Sequence, residues 1–196
     1  MNIFKNLFLV LLVVASIQSI LADANYTIDK EHTSLEFEIT HLMISTVKGR
    51  FDDFEGSIKL DDKKNTLLSI EGKAKAESIN TNQEKRDKHL KSPDFFDAKK
   101  FPTLDFEATG IKLTKGKSSK VKATLSIHGV KKTVTVNLIF KGIVTDPWGA
   151  EKAVVDAETT INRKDFGLNW NEALETGGVM VGEDVKIIVH AQANLK

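Results

Sequence analysis

The sequence predicts an all-β fold of eight antiparallel strands, broken once by a short helical segment that lids one end. Three observations predict it. Apolar and polar residues alternate with period two in one segment after another from Leu35 to Ala193, the mark of strands with one buried face. A single stretch, Ala76 to Phe106, departs from that alternation with a charged run and helix-start signals. Several inward strand positions are small, so the eight strands would enclose space rather than fill it.

Taken in order, Met1 to Asn6 contains Lys5 and no acid, Leu7 to Ala15 is unbroken apolar, and Ala22-Asp23-Ala24 supplies small residues before a cut. This is the pattern of a secretory signal peptide over residues 1–24, with the cut placed after Ala24 and Ala22 as the near alternative. The apolar run is shorter than the roughly 20 residues of a membrane span. The expectation is an exported chain, periplasmic or secreted, without stable membrane insertion. Residues 25–196 are expected to form one domain.

The first alternating segment has Leu35, Phe37 and Ile39 on one face and Ser34, Glu36, Glu38 and Thr40 on the other. The second runs from about Val47 to Leu60 and reads as one long curved strand, with Gly49 and Gly56 permitting a bend or bulge. Asp61 to Asn65 is turn material. Leu68, Ile70, Gly72, Ala74 and Ala76 continue the next strand. Leu104, Phe106 and Ala108 follow the helical segment, and Lys115-Gly116-Lys117 turns the chain. Val121 to Ile127 and Val134 to Phe140 flank a turn at His128-Gly129. A turn at Asp146-Pro147-Trp148-Gly149 precedes a seventh strand through Val155, Ala157, Thr159 and Ile161. Val185, Ile187, Val189, Ala191 and Ala193 form the eighth.

The helical segment opens with Thr81 followed three residues later by Glu84, a capping box that starts a helix over Asn82 to about Lys91. Leu90 is its one large apolar residue, so a helix this short has to dock on the sheet. Ser92-Pro93 signals a second start. The next turn carries Phe95 and Phe96, two rings that can wedge into one apolar opening as a lid. Arg86 and Asp87 read as pins holding the helix to the rim.

Periodicity allows two closures, a sandwich or an up-and-down barrel. Small inward residues favour the barrel, since eight strands can enclose one ligand.

Charge excludes some partners. The 28 Lys and Arg nearly balance the 27 Asp and Glu, for a net charge of +1, and loss of residues 1–24 removes one lysine and one aspartate and leaves that value unchanged. Lysines are spread along the chain, unlike the clustered basic face of a nucleic-acid binder. With no cysteine there is neither a disulfide framework nor a lipid-bearing N-terminal cysteine. The five histidines, at 32, 41, 89, 128 and 190, show no metal-ligand spacing, so no metal and no cofactor are expected. No nucleophile elbow or phosphate loop occurs, and no catalytic residue is assigned. His41 continues the inward phase of Phe37 and Ile39; it is either a core histidine satisfied by a carboxylate or carbonyl, or a contact for the polar head of a ligand. Arg163 and Asp165 read as a structural pair. His128 reads as a cap on its turn, and His190 as solvated.

The runs SINT, RDKHL, SPDFFDAKKFP and LDF come in this order. DKEHTSLEFEITHLMISTVKGRFDDFEG precedes them, and LSIHGVKKTVTV, INRKDFGL and VGEDVKIIV follow. Together they resemble the signature of the YceI-like family, secreted bacterial lipocalin-like proteins described as polyisoprenoid-binding. The resemblance implies an eight-stranded antiparallel lipocalin-like barrel with a long apolar tunnel for an isoprenoid or similar chain, such as a polyisoprenoid, a quinone or a fatty amide. The lining expected is Phe37, Ile39, Phe54, Ile58, Ala74, Phe106, Leu125, Ile127, Phe140 and Ile161, with Leu90, Phe95 and Phe96 at the lid and His41, Arg86 and His89 toward a head group. Two other readings stay open: an enzyme on an apolar substrate with His41 or His89 as general base, and a secreted stress-response or interaction protein. A homodimer also stays open, because a closed barrel has no free sheet edge but can carry a paired surface patch.

Overall fold

A computed structural model of the chain describes residues 23–61, 66–112, 115–175 and 177–196. The signal-peptide reading falls almost wholly outside these residues, as does most of the turn after Asp61. The strands are β1 (Ala24–Ile28), β2 (Ser34–His41), β3 (Ser45–Phe51), β4 (Phe54–Asp61), β5 (Thr66–Lys75), β6 (Ile79–Asn80), β7 (Thr103–Thr109), β8 (Ser118–Ile127), β9 (Val130–Thr145), β10 (Glu151–Asn162) and β11 (Val181–Leu195). One helix, α1 (Glu84–Lys91), lies between β6 and β7.

All pairings between these strands are antiparallel. The order β1-β4-β5-β7-β8-β9-β10-β11 closes on itself because β1 also pairs with β11, giving an eight-stranded barrel. The long β11 is shared along its free side: its last residues pair with β1, and Val181 to His190 pair with β2. β2, β3 and β6 thus extend the wall above the closed ring.

The structure adds a short strand, β6, inside the stretch 76–106 that breaks the alternation, and it revises three other strand readings. The segment expected as one curved strand is two, β3 and β4, parted at Asp52-Asp53 and paired to different neighbours. β1 was not foreseen, although Ala24 and Tyr26 are buried on one face. In β5 a bulge puts Leu60 opposite Leu67 rather than Leu68, and Leu67 is the fully buried residue. One inserted residue shifts the phase of everything before it.

The hairpin between β8 and β9 has the expected two-residue turn, with φ of 52° at His128 and 77° at Gly129. Left-handed conformation at both central residues matches the turn to the strand twist. His128 does not cap it; its ring packs on Phe101, centroids 4.5 Å apart. In the β9–β10 turn the Asp146 carboxylate accepts the N–H groups of Trp148 and Ala150, each at 2.9 Å. His190 is exposed as expected but also meets Asp156, 3.0 Å away.

The barrel is filled unevenly. Tyr26, Leu60, Leu67, Leu138 and Phe140 pack one end solid, all at most 1% exposed. Toward the other end the inward residues Phe37, Ile39, Val185, Ile187 and Val189 remain only half-buried.

Candidate functional site

Those half-buried inward side chains border a cavity of about 470 Å³ with an overwhelmingly apolar wall. Of the residues expected to line a hollow, Phe37, Ile39, Phe54, Ile58, Ala74, Phe106, Leu125, Ile127 and Ile161 lie on its wall, and so do Leu90, Phe95 and Phe96 of the lid segment. Phe140 does not: it has the inward phase but sits in the packed end, fully buried. Phase tells which face a side chain takes; its height along the barrel decides whether it meets floor or wall.

Other wall residues went unassigned from sequence. Val185, Ile187, Val189 and Ala191 of β11 were read as an inward face but not as lining, although they share the phase of the residues that were. Phe51 carries no such signal. Phe51 lies 6.0 Å from Phe37 and 5.9 Å, edge-on, from Phe96, so it links barrel to lid. Trp170 follows the strand-free stretch after Phe166 and packs 5.2 Å from Phe95 and 4.9 Å from His89.

Although α1 itself buries no residue fully, Leu90 and Phe96 pack against Phe51, Ala74 and Ile79, and polar contacts of the helix add to this. Its N-cap is Gln83, whose side-chain oxygen accepts the Arg86 N–H at 2.6 Å, so the capping box of Thr81 and Glu84 does not form. Thr81, 4% exposed, has a different task. Its N–H donates to Asp87 Oδ1 at 2.8 Å, and its hydroxyl donates to the same carboxylate. Arg86 donates through Nε to Thr81 Oγ1 at 2.7 Å and through Nη2 to Thr81 O at 2.9 Å. Arg86 and Asp87 therefore pin the helix as expected, with Thr81 as the anchor. Ser92 caps the other end through His89 O, and Phe96 N–H donates to Leu90 O at 3.0 Å. The turn carrying the two phenyl rings is thus hydrogen-bonded back to the helix.

The three polar candidates all border the cavity. Arg86 has guanidinium N–H groups beyond those spent on Thr81, and no carboxylate pairs with it among the described residues. His89 Nε2 lies 2.9 Å from Asp94 Oδ2, with its ring edge-on to Phe95 and Trp170. The His41 ring makes no hydrogen bond among the described residues, contrary to the reading of a satisfied core histidine. A carboxylate partner for a general base thus exists at His89 and is missing at His41.

Arg163 does not pair with Asp165. It is 2% exposed and donates to the carbonyls of Gly182 (2.8 Å), Leu168 and Val181 (3.5 Å). Burial pushes this guanidinium below its ordinary value, with nearby Glu183 opposing the shift. Its bonds tie the loop after β10 to the start of β11 beside the cavity.

Asp29, Glu31 and His32 bring three donor atoms within 4.8 Å of one another. The Asp29 carboxylate is already engaged by His32, by Gln192 and by the Glu31 N–H. The group braces the turn after β1, and none of its three residues lines the cavity.

Comparison with known proteins fits this architecture. A family model described as the YceI-like domain matches residues 26–193. The UPF0312 protein SA2479 of Staphylococcus aureus (strain N315) is 40% identical over 172 residues, 87% of this chain and 98% of that protein. UPF0312 protein MW2606 of strain MW2 is 42% identical over the same extent. Among solved structures, Burkholderia cenocepacia BcnA matches with a TM-score of 0.71 at 22% identity, covering 85% of this chain and 99% of that one. The Campylobacter jejuni YCEI protein matches at 0.68 with 30% identity, covering 80% and 90%. A polyisoprenoid binding domain from Saccharophagus degradans matches at 0.68 with 17% identity, covering 87% and 98%. With a barrel hollow under a helical lid and a family match from Tyr26 to Ala193, this chain belongs to the YceI-like family.

Proposed function

We propose that the cavity receives the long apolar tail of an isoprenoid or similar lipid, and that the protein carries, stores or sequesters it outside the cytoplasm, in the periplasm or after secretion. The observation that carries this reading is the apolar cavity itself, bordered by inward side chains of β2 and β11 that stay only half-buried although they point inside the sheet. Each methylene transferred into such a wall is stabilised by about 0.8 kcal/mol before ordering costs. The solid floor stops the tail, and its polar end then lies near Arg86, His89 and His41. The likeness to a domain titled polyisoprenoid-binding supports the reading at the level of fold.

Binding rather than turnover is the reading for this site. His89 has Asp94, but its ring meets Phe95 and Trp170 edge-on, and the nearby Ser92 hydroxyl donates to His89 O and not to the imidazole.

The test is to purify the protein from its native host, extract it with organic solvent, and identify the released molecule by mass spectrometry. A stoichiometric apolar lipid is expected. Val189→Phe, which places a ring in the hollow, is expected to reduce that lipid severalfold while the protein stays folded. Recovery of an empty protein that does not take up any isoprenoid, quinone or fatty amide offered to it would remove the reading.

A further inference from the structure

Leu42, Met43 and Ile44 form the turn between β2 and β3, and they are 41%, 56% and 93% exposed. Leu42 and Met43 also hold φ of 50° and 64°, the left-handed region that suits glycine or asparagine and not large apolar residues. A turn built only to reverse the chain has no use for two large apolar residues in that conformation followed by a third that is almost fully exposed. Such an outlier points to a use for the side chains themselves.

The tip is braced. Leu42 N–H donates to Met180 O at 2.8 Å, Met180 N–H donates to Glu172 O at 2.8 Å, and the Met43 side chain lies against the bare backbone of Gly178. Its apolar groups are thus held out in water by a supported loop.

Its position gives the second observation. His41, immediately before the tip, and Met180, bonded to it, are both wall residues of the apolar cavity. Lys85 and Arg86 of α1 border the same cavity and form no ion pair among the described residues. Three exposed apolar side chains at the border of an apolar cavity are complementary to the interior of a lipid surface, and the unpaired Lys85 and Arg86 elsewhere on that border add attraction for its phosphates. Glu172 and Glu175 on the bracing loop make the charge locally mixed, so insertion of the tip supplies most of the attraction and anionic lipid adds to it.

We propose that Leu42-Met43-Ile44 is a membrane-docking tip that seats the hollow end of the barrel on a lipid surface, so that an apolar tail passes between bilayer and cavity without crossing water. The transfer step rests on the reading of the cavity as an apolar-tail site; the docking step does not.

The experiment uses vesicles of phosphatidylcholine with and without phosphatidylglycerol, and the fluorescent polyene fatty acid cis-parinaric acid as cargo. Wild-type protein is expected to float with the vesicles, more so with phosphatidylglycerol. Ile44→Asp, at a nearly fully exposed position, is expected to float about tenfold less and to take up the probe from vesicles about tenfold more slowly. Its affinity for the probe dispersed in buffer should match that of wild type. Trp148→Ser removes the other highly exposed apolar side chain, 89% exposed on the β9–β10 turn, and should change neither. Equal flotation and equal uptake rates for wild type and Ile44→Asp would overturn the proposal. So would absence of wild-type flotation, or self-association of the wild type through the tip in place of vesicle binding. Failure of every variant to bind the probe in buffer would instead count against the cavity reading, while flotation would still decide the tip.

Discussion

The carboxylate of Asp87 receives both the backbone N–H and the hydroxyl of Thr81, a residue that precedes the lid helix and is buried beneath it. The helix is therefore latched by a neutral side chain wedged between its own arginine and aspartate. Thr81→Val keeps the shape and removes the hydroxyl, leaving Arg86 Nε and part of the Asp87 carboxylate unpaired. A loss of about 1–3 kcal/mol is expected from a broken, partly buried hydrogen-bond set. Denaturant unfolding measures it, and faster amide exchange confined to residues 84–98 would identify the lid as the part released.

Phe37 lies on the cavity wall directly across from Gly49 in the β2–β3 pairing. A Cβ at position 49 would come within 2.3 Å of Phe37 Cζ and 2.8 Å of Thr81 Cγ2, so only glycine lets the ring lie flat there. Gly49→Ala should cost about 1–3 kcal/mol by overpacking. The displaced ring has the hollow to move into, so the amount of co-purifying lipid should drop with stability. A variant with unchanged midpoint and unchanged lipid would contradict this account.

At the apolar tip, Leu42→Asn with Met43→Gly gives the turn residues that tolerate left-handed backbone. Relief of strain is about 1–2 kcal/mol per residue, offset in part by the lost contact of Met43 with Gly178. A net gain of about 1 kcal/mol is expected, read as a higher Tm, together with weaker vesicle flotation. Stability and docking should move in opposite directions.

At the corner between β3 and β4, the Asp52 carboxylate accepts from Asn80 Nδ2 at 2.7 Å and Arg50 Nε at 2.6 Å. The Asn80 bond, then the Arg50 bond and charge, hold this carboxyl below its ordinary 3.8, against some loss of hydration. A carboxylate with a lowered folded value stabilises the protein fully above its unfolded value, and that contribution disappears as pH falls through the folded value. The Asp52 carbon resonance should titrate with a midpoint under 3.8. Asn80→Ala should return it toward the ordinary value and shrink the acid-side change in stability. A midpoint at or above 3.8 in the unaltered protein would refute this.

Much of the barrel is legible in the sequence because one wet face and one dry face impose period two on β2, β7, β8, β9, β10 and β11. The same rule misreads β5, where the bulge makes Leu67 and not Leu68 the buried residue. It also passes over β1, whose Ala24, Tyr26 and Ile28 are too few to establish a period. The lid's existence is legible from its break in alternation, but its latch is not. Thr81 looks like a local cap, and only the folded chain shows its hydroxyl serving Asp87. Phe140 was assigned to the lining for the same reason that Phe106 was, yet it plugs the floor.

That plug gives the molecule a fixed datum. On the proposed reading, a tail inserted under the lid would stop at the packed end formed by Tyr26, Leu60 and Phe140, and every additional carbon in a longer homologue would emerge at the rim instead of deepening the fit. The barrel would then act as a gauge, separating short from long tails by how far their polar ends project past Arg86.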